Sequence, residues 1–267
     1  MGFLSEIVAE TQATVAKGSY LANLRPAQPL PSARRMAVAI RDAGPAGAVI
    51  VEYKRVSPGS TSPRLPAVSP EEFVRRAEPG GVTAYSCLAT VPRFEGSPAE
   101  VMRLVGATAR PVLFKDFVID PVQLDAAVCA GASAVLLIAR LETEGHLSVP
   151  LAELSRQARA RGLEVLLEYH ARSELSATSD VGADMYGVNV RDLDTLRMEP
   201  EVAAATLRAA RDRRPLLGLS GVGSPEDARR FWDAGVDGIL VGSAVARSAD
   251  PAAFVRSLHR PRGRRQP

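Results

Sequence analysis

The sequence predicts an α/β protein, a closed (β/α)8 barrel with an N-terminal helical extension. Two observations lead there. Eight short, apolar, β-branched runs recur along the chain, and amphipathic stretches of helical period lie between them. Strands alternating with helices imply a parallel sheet covered by helices, and eight such units in roughly 220 residues suit a sheet closed on itself. A doubly wound open sheet is the structural alternative. The chain has 267 residues and is 46% apolar, enough for one large core. No linker divides it, so residues 1–267 are expected to form one barrel domain.

Residues 1–46 make the extension. In it "SEIVAETQATVAKG" and "PSARRMAVAIRDAG" read as helices, separated by the Pro-rich "RPAQPLP". A piece this small is hard to stabilise alone, so it should cap the barrel or border its mouth. The strands follow as "GAVIVEYK" (47–54), "VTAYSCL" (82–88), "PVLFKD" (111–116), "SAVLLIA" (133–139), "LEVLLEY" (163–169), "MYGVNV" (185–190), "PLLGLS" (215–220) and "DGILVG" (237–242). Helices are expected over 70–77, 98–109, 121–130, 150–161, 199–211, 225–234 and 250–259. The closing "RPRGRRQP" (260–267) has the composition of a basic disordered tail.

The charge balance narrows the function classes. The formal net charge is +3, and basic residues are not interleaved with aromatics, so nucleic-acid binding is not expected. No run of about 18 apolar residues occurs, and Glu6 and Glu10 interrupt the N-terminus where a signal peptide needs an apolar segment. A cytoplasmic protein without a membrane role is the expectation. Cys87 and Cys129 lack metal-ligand spacing and read as reduced core residues. A small positive bias suits a small anionic substrate.

In such a barrel the chemistry sits at the C-terminal ends of the strands. Those ends are loaded here. The first strand ends in Glu52 and Lys54, which share a face because strand side chains repeat every two residues. The third ends in Lys115, the fifth in Glu168, the sixth in Asn189 with Arg191 after it, and the seventh in Ser220. Alone, each could be a surface ion pair or a cap. Two lysines and two carboxylates ending four strands would instead converge on one mouth, where they can displace one another's pKa values as acid–base catalysis requires.

A phosphate site is the second signal. "LSGVGSPEDARRFWDAG" runs from a strand through Gly221 and Gly223 to Ser224 as N-cap and Pro225 at the first helical position. The eighth strand runs into Gly242 and Ser243. Glycines here let backbone N–H groups approach an anion, and barrels hold phosphate between the loops after strands seven and eight.

On these residues the chain resembles the indole-3-glycerol-phosphate synthases, barrel enzymes of tryptophan biosynthesis. The resemblance runs through "VEYKRVSP", "FEGS", "PVLFKDFVIDPVQLDAAVCAGASAVLLI", "LEVLLEYH", "YGVNVRDLDTL" and "SGVGSPEDARRFWDAGVDGILVGSAV". It implies closure of the ring of 1-(2-carboxyphenylamino)-1-deoxyribulose 5-phosphate with loss of carbon dioxide and water, using no metal and no cofactor. By the same resemblance Lys115 is the general acid, Glu168 the second acid–base group, and Glu52 and Lys54 flank the substrate. Asn189 and Ser220 would contact the anthranilate-derived ring and its carboxylate, and Arg191 would hold the network in place. Ser57, Gly221, Gly242 and Ser243 match phosphate-binding positions, and Phe94 matches the aromatic that closes over the substrate. The partner implied is a phosphorylated small molecule, with the chain a monomer or weak homodimer.

The chain departs from the family in places. Leu219-Ser220-Gly221 stands where the family has Glu-Ser-Gly, Ala89-Thr90 where it has Thr-Glu, and "SPGSTSPRLP" is richer in Ser and Pro than the family's loop. Losing a carboxylate near Lys115 should weaken its hold on its proton, unless water or another carboxylate substitutes. The alternatives are a paralogue acting on a modified anthranilate derivative, where Leu219 gives room or apolar contact, and a non-catalytic phosphosugar-binding barrel. Phosphoribosylanthranilate isomerase is a further rival, but two lysines with two glutamates do not suit its acid–base pairing.

Overall fold

The computed structural model describes residues 2–22, 24 and 35–261. Eight strands, β1 Ala48–Tyr53, β2 Ala84–Leu88, β3 Val112–Lys115, β4 Ala134–Ile138, β5 Glu164–Tyr169, β6 Met185–Asn189, β7 Leu216–Leu219 and β8 Gly238–Val241, pair in parallel in chain order. β1 closes on β8 through the Val49↔Ile239 and Ile50↔Leu240 registers. The open-sheet alternative is excluded by that pairing.

Alternation along each strand makes two cores. Val49, Val51, Tyr85, Val135, Leu137, Val165 and Leu167 face outward under the helices. Ala48, Ile50, Leu113, Leu136, Leu166, Leu217 and Leu240 fill the barrel. Burial on both faces is why the strands read as unbroken apolar runs. The inner face continues by twos toward the mouth. Glu52 follows Ile50, Lys115 follows Leu113 and Glu168 follows Leu166, and all three line the cavity there.

The helices are α1 Phe3–Ala16, α2 Met36–Asp42, α3 Pro70–Ala77, α4 Pro98–Ala107, α5 Pro121–Cys129, α6 Ala139–Thr143, α7 Leu151–Ala160, α8 Arg172–Ala177, α9 Pro200–Ala209, α10 Pro225–Asp233, α11 Ser243–Arg247 and α12 Pro251–Leu258. Five of them, α3, α4, α5, α10 and α12, begin with proline behind a Ser or Asp whose side chain accepts a first-turn N–H. The seven helices expected between and after the strands match within two residues at each end, whereas the one expected over 31–44 begins at Met36 behind an extended Arg35, its first four residues lying outside the described residues. α6, α8 and α11 were not expected, because five or six residues are too few to display a period of 3.6.

The extension does both things proposed for it. α1 borders the mouth: Phe3 N–H donates to the Asp194 carbonyl at 3.2 Å, and Glu6 and Glu10 pair with Arg93 in the loop after β2. α2 plugs the opposite end, where its first N–H groups, from Met36 and Ala37, donate to the buried Glu164 carboxylate at the start of β5. Of the expected tail, Arg260 is tied down: its N–H donates to Ala46 O, its guanidinium donates to Val236 O, each at 2.8 Å, and it stacks on Trp232. Residues 262–267 lie outside the described residues. Cys87 is buried as expected, whereas Cys129, at the exposed end of α5, is only half-buried; both are free thiols. Among the described residues no helix is long and apolar enough to cross a membrane.

Candidate active site

Every residue singled out as a site candidate lines one cavity at the C-terminal ends of the strands. Glu52 lies at its centre. It is 4% exposed, with Oε1 2.7 Å from Lys54 Nζ and Oε2 3.7 Å from Lys115 Nζ. Burial works to raise the Glu52 pKa, but the two ammonium groups outweigh it and hold the carboxyl below its ordinary range. For Lys115 burial works downward, and the charges of Glu52 and Glu168 overcome it, so its pKa lies above the usual lysine value. Lys115 keeps this hold on its proton with Leu219 contributing no charge, and the carboxylates that supply it are Glu52 and Glu168.

Glu168, at the end of β5, is buried and its pKa is raised by burial, against the pull of Lys115 and Asn189. Asn189 Nδ2 donates to Glu168 Oε1 at 3.0 Å, leaving Oε2 without a hydrogen-bond partner. Arg191 N–H donates back to Asn189 Oδ1 at 3.0 Å, and its guanidinium donates to Leu196 O at 2.5 Å. Burial lowers the Arg191 pKa. Among the described residues it pairs with no carboxylate, so its charge is available to the cavity.

At the rim Ser57 and Ser243 hydroxyls meet at 3.2 Å. Gly242 precedes α11 as its N-cap, and a Cβ there would lie 3.0 Å from Glu52 Oε1, so any side chain would force Glu52 to give by a few tenths of an ångström. Ser220 and Gly221 turn sharply off β7 with φ of 65° and 78°. Gly223 contributes no free donor, since its N–H is taken by the Asp227 carboxylate at 3.0 Å. The Ser57 N–H is likewise taken, by Pro63 O at 2.7 Å, which leaves the Ser57 and Ser243 hydroxyls at the rim beside Gly221 and Gly242. Phe94 stands between Phe3 of α1 and Phe117 after β3, with ring centroids 6.2 and 6.1 Å away.

Leu219 is 1% exposed, opposite Asn189 in the β6–β7 register and packed over Gly187, where a Cβ would lie 2.7 Å from it. With Leu136, Ile138 and Leu240 it makes the cavity floor apolar.

Sequence reasoning missed Tyr20, Asp116 and His170. His170 Nδ1 lies 3.0 Å from Asn189 O, and Nε2 lies 3.0 Å from Glu199 and 3.6 Å from Asp192. Its ligating atoms lie within 4.8 Å of those carboxylates, a spacing that could suit a cation. Arg140 already meets that charge, at 2.6 Å from Asp192 and 3.1 Å from Glu174. The place of Asp116 next to Lys115 and of His170 two residues after Glu168 was the available signal, but contacts so distant in sequence carry no periodicity.

Known proteins resemble the chain at two levels. The solved structures of thiamine phosphate pyrophosphorylase from Pyrococcus furiosus (TM-score 0.56, 19% identity, 80% of this chain and 93% of that one) and of 3-hexulose-6-phosphate synthase (0.61, 17%, 79% and 97%) share the fold alone. In sequence the chain is 36% identical to indole-3-glycerol phosphate synthase 2 of Streptomyces coelicolor, over 96% of this chain and 98% of that protein. It is 38% identical to the Halobacterium salinarum indole-3-glycerol phosphate synthase over 80% and 82%, and 32% identical to that of Staphylococcus aureus over 97% of both. The indole-3-glycerol phosphate synthase family profile matches residues 4–258. With that span and these identities, the chain belongs to the indole-3-glycerol phosphate synthase family.

Proposed function

We infer that the protein closes 1-(2-carboxyphenylamino)-1-deoxyribulose 5-phosphate to indole-3-glycerol phosphate. The ring carbon bearing the carboxylate attacks the ketone carbon, carbon dioxide leaves as aromaticity returns, and the resulting hydroxyl departs as water. Lys115 Nζ donates the proton to the ketone oxygen and attracts its developing charge. Its raised pKa keeps it protonated for that role. Glu168, with one oxygen fixed by Asn189 and the other buried without a hydrogen-bond partner, is the second acid–base group. Glu52 holds Lys54 and Lys115 in place. Asn189 and Ser220 meet the ring and its carboxylate, with Arg191 fixing the network. Ser57, Gly221, Gly242 and Ser243 receive the phosphate, and Phe94 closes over the substrate.

One observation carries this reading: two ammonium groups share a single buried carboxylate at the mouth of a barrel whose last two loops, with Gly221, Gly242 and Ser243, line the same cavity. The test is to incubate the purified protein with the substrate and follow indole fluorescence, with mass-spectrometric confirmation of product. Absence of product from a folded protein that binds the substrate would overturn it. The apolar floor at Leu219 favours a second reading, the same ring closure on an anthranilate bearing an apolar substituent. Relative kcat/KM on substituted and plain substrates decides between them.

A further inference from the structure

Lys115 is followed by Asp116, a carboxylate with no task in the ring closure described above. It is 2% exposed, and each of its oxygens is held twice. Oδ1 accepts from the Phe117 N–H at 2.9 Å and the Thr90 hydroxyl at 2.7 Å. Oδ2 accepts from the Gln123 amide at 3.0 Å and the Tyr20 hydroxyl at 2.7 Å. The Gln123 amide also donates to the Tyr20 oxygen at 3.0 Å, which directs the phenol's own proton to Asp116. Burial, with Asp116 beside it, pushes the Tyr20 phenol far above its usual value, so Tyr20 stays a donor. Burial also pushes Asp116 upward, and its neutral donors oppose that rise.

The same cluster shapes the turn after β3. Gln123 Oε1 accepts the N–H groups of Ile119 and Asp120, and its amide donates to Phe117 O. Lys115 and Phe117 therefore enter the cavity from a segment wound around two buried side chains, one of them fastened by Tyr20. The Asp116 charge also favours the Lys115 ammonium, after the larger contributions of Glu52 and Glu168.

We propose that Tyr20, in the extension outside the barrel, is a positioning residue for Lys115, acting by holding Asp116 as an anion and fixing the turn that presents the lysine. The proposal rests on the ring-closure reading for its kinetic consequence and on geometry for the rest.

Tyr20→Phe keeps the ring and deletes one donor to the carboxylate. Losing a donor to the charged form raises the Asp116 pKa by about one pH unit. The expected result is an acid limb of the kcat profile moved upward by about that amount. KM should be unchanged, because Tyr20 does not line the cavity. Thr90→Val should move the limb in the same direction. NMR of protein labelled at the aspartate carboxyl and lysine ε carbons reads the site without activity, the signals identified with Asp116→Asn and Lys115→Ala. The Lys115 signal should inflect at the Asp116 midpoint, and both should move up together in Tyr20→Phe. A folded Tyr20→Phe whose Asp116 midpoint matches the wild type would overturn the proposal, as would a Lys115 signal indifferent to Asp116. If the wild type makes no product, the ring-closure reading fails, and the two NMR signals decide the proposal alone.

Discussion

Replacing Glu52 by Gln keeps the shape of the side chain and deletes the charge that two ammonium groups share. At an effective dielectric of about 20, contacts of 2.7 and 3.7 Å are worth about 6 and about 4.5 kcal/mol before desolvation. Desolvation takes back much of this, and removing one partner of a buried ion pair costs about 3–5 kcal/mol. For a chain of this size that is a fall in melting temperature of about 10 °C at pH 7. The sign with pH follows from the depressed Glu52 pKa. A carboxyl whose folded pKa lies below its unfolded value contributes stability fully present above the unfolded value, about 4.3. That contribution is lost as pH falls through the lower folded value. Melting curves of both proteins at a series of pH values should therefore show a wide gap at neutrality that closes in acid. A gap that stays constant with pH, or none at pH 7, would refute the assignment of Glu52 as the shared counter-ion.

The remaining predictions concern turnover. Lys115→Ala and Glu168→Gln should each lower kcat by about 10²–10⁴, followed by indole fluorescence; unchanged rates would remove both residues from the proton transfers. Because the Glu168 pKa is raised, the kcat profile should carry an inflection above the ordinary glutamate range, separate from the limb set by Asp116, and Glu168→Gln should abolish that inflection alone. Leu219→Glu places a carboxylate opposite Asn189 in the β6–β7 register. It should raise turnover on the unsubstituted substrate at a stability cost of about 1.5–3 kcal/mol for the lost apolar burial; no rise in rate favours the substituted substrate. Ser243→Ala should raise KM about tenfold with kcat nearly kept, as for one lost hydrogen bond to a charged group. An unchanged KM would place the phosphate elsewhere.

The barrel and much of its mouth were legible because they are written at short range. Strand runs, Ser-Pro and Asp-Pro helix starts, and glycines after strands seven and eight are local signals, and a period of two carries Ile50 to Glu52 and Leu113 to Lys115 on the inner face. The sequence by itself thus determined the fold class, the face of each strand and which charged residues end at the mouth. Tertiary structure alone decided their partners. Nothing near Lys115 in the chain says that Glu52 lies 3.7 Å from its ammonium group, that Asp227 takes the N–H of Gly223, or that Tyr20 reaches Asp116 across 96 positions. A pKa or an anion site is set by distances through space, and in a closed barrel the shortest of those distances join residues far apart along the chain.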